Sequence, residues 1–161
     1  MSKISICLWF DTQAEDAAQH YVRIFKEMGR SASLRNVSRY GSEGPGSPGK
    51  VMTATFTLDG EDFMGLNGGP IFQHSPAMSI VVTCAEQAEI DGFWDRLLDG
   101  GQPSQCGWLT DRFGVSWQIV PEALERLLTT GDKEQAARVT RAFMSMVKFD
   151  IAALERAAEP V

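Results

Sequence analysis

The chain has 161 residues, 43% of them hydrophobic, enough for one well-buried core and short for two independent domains. Fifteen Lys and Arg against 21 Asp and Glu give a net charge of −6, which argues against nucleic-acid phosphates or an anionic membrane face as the main partner. No run approaches the ~18 apolar residues of a membrane span, and MSK leads straight into ISICLWF without a cleavable signal, so a soluble, cytoplasmic protein is expected.

Residues 4–10, ISICLWF, alternate and are rich in β-branched and aromatic side chains, the pattern of a strand. Asp11 or Thr12 is then placed to cap a helix over roughly 13–27, whose Ala14, Ala17, Ala18, Tyr21, Ile24 and Phe25 share one face. SLRNVSRY, VMTATFTL and DFMGLN follow as three strands, with Asp59-Gly60 as a hairpin turn. GPGSPGK (44–50) has the spacing of a phosphate-binding loop but not its chemistry. Val51 replaces the Ser or Thr, two prolines remove amide donors, and a strand follows instead of a helix. It is expected to be a plain connection.

The second half starts the same order again. AMSIVVTC (77–84) reads as a strand and AEQAEIDGFWDRLLDGG as a helix with Ile90, Phe93, Trp94, Leu97 and Leu98 apolar, stopped at Gly100-Gly101. QCGWL and VSWQIV then pair around DRFG. SICLWFDTQAE at Ser5 lies over SIVVTCAEQAE at Ser79, an offset of 79 − 5 = 74, which with the shared element order favours an internal duplication. NGGP (67–70) reads as a hinge between the halves, as a loop letting backbone approach a ligand, or as both. The remainder is helical, with Asp132 capping a segment that carries Ala136, Val139, Ala142, Phe143 and Met146. Asp150 caps another with Ile151 and Leu154, and such apolar faces need a surface to cover, on this chain or a partner's.

LWFDTQAEDAAQHYVRIF, DGEDFMGLNGGP, CAEQAEIDGFWDRL and CGWLTDRFGVSWQIVP together resemble the PhnB-like family, often labelled 3-demethylubiquinone-9 3-methyltransferase, of the vicinal oxygen chelate superfamily. That superfamily takes in glyoxalases, bleomycin-resistance proteins and dioxygenases. The likeness extends into the tail around MVKFDIAALERA. It implies an α+β fold of duplicated βαβββ modules curling into a cup around a small-molecule site, one domain over 1–161. Module one would span about 3–70, module two about 76–121 and a helical tail about 122–159. A homodimer is also implied.

Carried over residue by residue, the superfamily's metal-ligand positions fall on Ser5, Asn67, Ser79 and Gln118. All are neutral, and two hydroxyls with two amides offset no cation charge, so no metal and no cofactor is expected. If Gln118 faces the cup, Trp117 points the other way into the core. Trp108 is balanced between core and pocket, and Gln118 itself could be a buried amide satisfied by backbone. The resulting expectation is metal-independent binding of a small molecule between Trp9 and Trp108 and the hydrogen-bonding groups of Ser5, Asn67, Ser79 and Gln118. The alternatives are an enzyme of the superfamily, metal-free or with a metal site elsewhere, and a structural dimer with a filled interior. Catalytic signals are sparse. Cys7, Cys84 and Cys106 lie far apart without a CxxC, and His20 and His74 are the only histidines. Asp111 reads as the builder of the DRFG turn, and Glu61 and Asp62 as solvated. The methyltransferase label fits poorly, because the first strand–helix turn, FDTQAE, has no glycine for a Rossmann-type cofactor site.

Overall fold

The computed structural model describes residues 3–160, which form two compact units that divide between His74 and Ser75. In the first unit, β1 (Ile6–Phe10) leads into α1 (Ala14–Glu27), followed by β2 (Ala32–Arg39), β3 (Val51–Leu58) and β4 (Glu61–Asn67). The sheet order is β1-β4-β3-β2, with β1 parallel to β4 and the other pairs antiparallel. The six apolar residues expected on one face of α1 are all buried. They meet Leu8 and Phe10 of β1, Ala54, Phe56 and Leu58 of β3, and Phe63 of β4, all buried, as strand alternation requires of a sheet covered by one helix. Asp59 and Gly60 both take positive φ, 48° and 85°, the geometry of the tight hairpin turn that Asp-Gly favours.

The second unit repeats the plan. It contains β5 (Ser79–Cys84), α2 (Gln87–Leu98), β6 (Gln102–Pro103), β7 (Trp108–Thr110) and β8 (Ser116–Pro121), in the sheet order β5-β8-β7-β6. Here β5 is parallel to β8, again with antiparallel neighbours. Two-residue β6 has no periodicity of its own and is visible only through its pairing with β7. The α+β fold and the duplicated βαβββ order are those expected from the sequence.

The tail forms α3 (Glu122–Thr129), α4 (Lys133–Met144) and α5 (Ile151–Ala158). Asp132 and Asp150 cap α4 and α5 as expected, accepting from the Gln135 and Ala153 amides at 2.7 and 2.9 Å. The apolar faces are covered within the second unit, where Val139, Phe149 and Leu154 are buried. The segment between α4 and α5 is tied to the unit's sheet and helix. Cys106 and Gly107 donate their amides to the Met146 and Val147 carbonyls, both at 2.8 Å. Gln87 accepts from the Ile151 amide at 2.9 Å and donates to the Phe149 carbonyl at 3.0 Å.

One local expectation is corrected. Neither Asp11 nor Thr12 caps α1 through its side chain, and the residue before the helix, Gln13, makes no side-chain cap either. The cap comes from Asn67 at the end of β4, whose Oδ1 accepts from the Ala14 amide at 2.8 Å.

Candidate ligand-binding site

Each sheet has one face under its helix and one face turned away from it. In β8, Trp117, Ile119 and Pro121 are buried on the helix side, so Ser116, Gln118 and Val120 lie on the other. Residues paired in register share a face, which puts Trp108 beside Gln118, and Leu109 beside Trp117. Gln118 Nε2 donates to Ser79 Oγ at 2.9 Å. Three of the residues singled out in the sequence, Ser79, Trp108 and Gln118, thus stand together on the face of the second sheet away from α2.

Behind them, Trp117 is fully buried and its indole N–H donates to Asp111 Oδ2 at 2.8 Å. Asp111 also accepts from the Phe113 and Val115 amides through Oδ1, at 2.8 and 3.0 Å. The buried carboxylate thereby closes the DRFG turn and anchors the indole, a structural task that satisfies both oxygens.

In the first unit, Trp9 lies on the face away from α1, between buried Leu8 and Phe10. Ser5 precedes β1 with the same parity and is exposed. Asn67 pairs with Phe10 and so takes the α1 side of the sheet. Its amide is committed to main chain, accepting from Ala14 and donating to the Thr12 and Val51 carbonyls at 3.2 and 3.1 Å. Strand pairing also shows that Asn67 is not the counterpart of Gln118. Gln118 stands opposite Val81 and Met64 opposite Cys7, and 81 − 7 = 74 is the repeat offset. The position equivalent to Gln118 is therefore Met64.

A cavity of about 830 Å³ lies within the first unit, beside Trp9. Trp9, Met52 and Leu66 give it apolar walls, and Tyr40, Arg39 and Lys50 come from the ends of the 40–50 connection. The aromatic walls are held in place by main chain. Trp9 Nε1 donates to the Gly69 carbonyl at 2.9 Å, its ring stands edge-on to Phe72 with centroids 5.0 Å apart, and Tyr40 donates its hydroxyl to the Asn67 carbonyl at 2.5 Å. Gly68 is required by this packing, since a Cβ there would fall 2.2 Å from the Trp9 ring. The NGGP loop is thus part of the cavity wall. So is the 40–50 connection, which sequence reasoning treated as a plain link. Nothing local in GPGSPGK marks it as a wall, and only the pairing of β2 with β3 brings it there.

The superfamily's metal chemistry does not fit these residues. The equivalent positions offer hydroxyls at Ser5 and Ser79, an amide at Gln118 already bonded to Ser79, and the thioether of Met64, none of them anionic. Among the described residues, no three His, Cys, Asp or Glu side chains group where they could hold a metal ion. The thiols are quiet as well. Partial burial pushes the Cys7 thiol above its ordinary range, keeping it neutral, and Cys106 donates to the Phe143 carbonyl at 3.5 Å.

The profile of the family described as 3-demethylubiquinone-9 3-methyltransferase matches residues 2–120. The match ends at the last residues of β8, so the helical tail, to which the likeness of the sequence extended, lies outside it. Among solved structures, a PhnB protein from Bacillus cereus, described as a candidate 3-demethylubiquinone-9 3-methyltransferase, is 36% identical. The alignment covers 74% of this chain and 99% of that one, with a TM-score of 0.66. The protein PA1353 from Pseudomonas aeruginosa, at 22% identity, covers 76% and 98% with a TM-score of 0.59. FosX, a fosfomycin resistance protein of Listeria monocytogenes, is 18% identical, covers 78% and 97%, and has a TM-score of 0.54. These last two likenesses show the fold. No curated protein matches the chain. The family profile, the 36% identity and the paired βαβββ units together establish that the chain belongs to the 3-demethylubiquinone-9 3-methyltransferase, PhnB-like family, on the glyoxalase/bleomycin-resistance fold.

Proposed function

We propose that the protein binds a small organic molecule without a metal ion, using the cavity beside Trp9 as its site in the first unit. The observation that carries this reading is the cavity itself. Its volume of about 830 Å³ falls in the range of small-molecule pockets. Its walls join an indole and aliphatic side chains to a few polar groups, the usual composition of such sites. In the second unit, Ser79, Trp108 and Gln118 are the ligand-facing set, where an amide and a hydroxyl specify hydrogen bonds rather than acid–base chemistry. Ser5 contributes a further hydroxyl, and Asn67 serves the cavity as the scaffold beneath it.

Two features count against methyl transfer of the Rossmann kind. Each sheet has a single parallel strand pair, β1–β4 or β5–β8, instead of a doubly wound parallel sheet. The turn from β1 to α1, residues 11–13, also has no glycine for close approach of a nucleotide. Screening small molecules by NMR tests the proposal. Binders should shift the Trp9 indole and the Gly68 and Gly69 amides, and a screen in which shifts avoid these groups would oppose it. Elemental analysis after purification without chelator should find no stoichiometric Zn, Fe, Mn or Ni.

A homodimer in a soluble, cytoplasmic setting is part of the same proposal. No described helix is long and apolar enough to cross a membrane. The tail buries Val139 and Leu154 in its own unit but leaves Met144 and Val147 exposed, so the case for a dimer rests on strand edges and on these two with exposed Ile71, Phe72, Met78 and Val81. Light scattering should return twice the 17.7 kDa of one chain, and a monomer at micromolar concentration would overturn it.

A further inference from the structure

We propose that the cavity beside Trp9 selects an organic anion, a molecule with a flat apolar body and one carboxylate, sulfonate or phosphate group held by Arg39 and Lys50. This rests on the reading of the cavity as a binding site and adds the charge of its occupant.

The two cations are set by the hairpin that joins β2 to β3. Tyr40 donates its amide to the Lys50 carbonyl, and Gly49 donates to the Tyr40 carbonyl, both at 2.9 Å. These bonds close the base of the 40–50 connection and fix Arg39 and Lys50 on either side of it. Neither cation is neutralised by the protein. Arg39 Nη1 donates only to the Gly49 carbonyl at 3.1 Å, and the Lys50 ammonium has no hydrogen-bond or ion-pair partner among the described residues.

Both cations line the same cavity, and neither has a carboxylate partner among the described residues. Of the other polar walls, the Trp9 indole and the Tyr40 hydroxyl both donate to main-chain carbonyls, while the hydroxyls of Thr12 and Ser47 carry no formal charge. What the site offers a ligand is an apolar surface of Trp9, Met52 and Leu66, two neutral hydroxyls, and positive charge at its edge. Asp11 also lines the cavity and opposes an anion. Its removal therefore has a predictable sign.

A matched pair of dyes tests the inference. Anilinonaphthalene sulfonate and neutral N-phenylnaphthylamine share one body and differ by the anionic group. The sulfonate should bind the wild-type protein more tightly and weaken as salt is raised. The Arg39→Gln/Lys50→Gln variant should lose about tenfold in sulfonate affinity, with the neutral dye changed by less than about twofold. Asp11→Asn should tighten the sulfonate by about twofold.

Naphthoate and naphthyl phosphate, used as displacers, separate carboxylate from phosphate. Either one ahead of neutral naphthol supports the inference, and naphthol ahead of both opposes it. Equal binding of the two dyes, or sulfonate binding untouched in the Arg39/Lys50 variant, overturns the anion while leaving the cavity standing. Leu66→Trp, with Met52→Trp in reserve should the first fail to fold, narrows the cavity beside Trp9 and should weaken both dyes alike. Unchanged binding of both dyes in the folded variant, or absence of binding to the wild type, overturns the cavity reading and this inference with it.

Discussion

Gln118 and Ser79 are joined side chain to side chain, Nε2 donating to Oγ at 2.9 Å across the parallel pair β5–β8. The bond leaves the Gln118 carbonyl and the Ser79 hydroxyl proton free to meet a ligand, while fixing the amide's orientation. Both residues are only half-buried, so water can replace either partner. Gln118→Ala should therefore cost no more than about 1 kcal/mol in urea unfolding but change which small molecules the protein retains. A large stability loss with retention unchanged would make the pair structural.

Trp117, next along the strand, should behave in the opposite way. It is fully buried against α2 and bonded to Asp111, so Trp117→Ala removes a large apolar volume together with a buried hydrogen bond. The expected loss is about 3–5 kcal/mol, read from urea or thermal unfolding. Trp117→Phe should recover most of the packing but not the hydrogen bond, with a residual loss of about 1–3 kcal/mol. A Trp117→Ala protein as stable as wild type would contradict the assignment of the two faces of β8.

Asn67 separates scaffold from site. Its side chain answers three main-chain groups from the start of α1 and from β3, including the helix's first amide. Asn67→Ala should lower stability by about 2–3 kcal/mol. Asn67→Asp keeps the acceptor for Ala14 but sets a carboxylate against the Thr12 and Val51 carbonyls, so it should recover only part. Unchanged stability with lost ligand binding would return Asn67 to the ligand set.

The tail's attachment should respond to pH. Lys148 Nζ lies 2.7 Å from Asp91 Oδ1, and Gln87 donates to the same oxygen at 3.0 Å. The hydrogen bond from Lys148, then that from Gln87, holds the Asp91 carboxyl below its ordinary 3.8. A carboxyl depressed in the folded state stabilises above its unfolded pKa, and that stability is lost as pH falls through the folded value. The pair is exposed, so the effect should be a small acid-side drop, below about pH 4, that disappears in Asp91→Asn. Gln87→Ala should cost more, about 1–3 kcal/mol, because it unpairs the Ile151 amide and the Phe149 carbonyl. Hydrogen exchange should then rise first in α5.

Much of this architecture was legible because its signals are local. Alternation marked the longer strands, Asp-Gly the hairpin, Asp132 and Asp150 the caps, and the 74-residue offset the duplication. The placing of Gln118 opposite Trp117 followed from alternation and from the likeness around DRFG, whereas Trp108, open between core and pocket in the sequence, is set beside Gln118 only by the β7–β8 register. What escaped depends on partners distant in sequence. The α1 cap arrives from Asn67, 53 residues after the amide it meets. The counterpart of Gln118, Met64, is fixed by the β1–β4 register, and its signal lay in the turns, since 64 − 60 = 118 − 114 from Gly60 and Gly114. Arg39 and Lys50 carry no motif, and only the closed base of their hairpin brings them to the cavity.

The most direct test of a small-molecule site beside Trp9 is mass spectrometry of the molecules that the protein retains through native purification, compared with its Leu66→Trp variant. The expected result is at least one small molecule, near stoichiometric with wild-type protein and clearly reduced in the folded variant whose cavity is narrowed. The same molecules retained equally by both proteins would contradict the account.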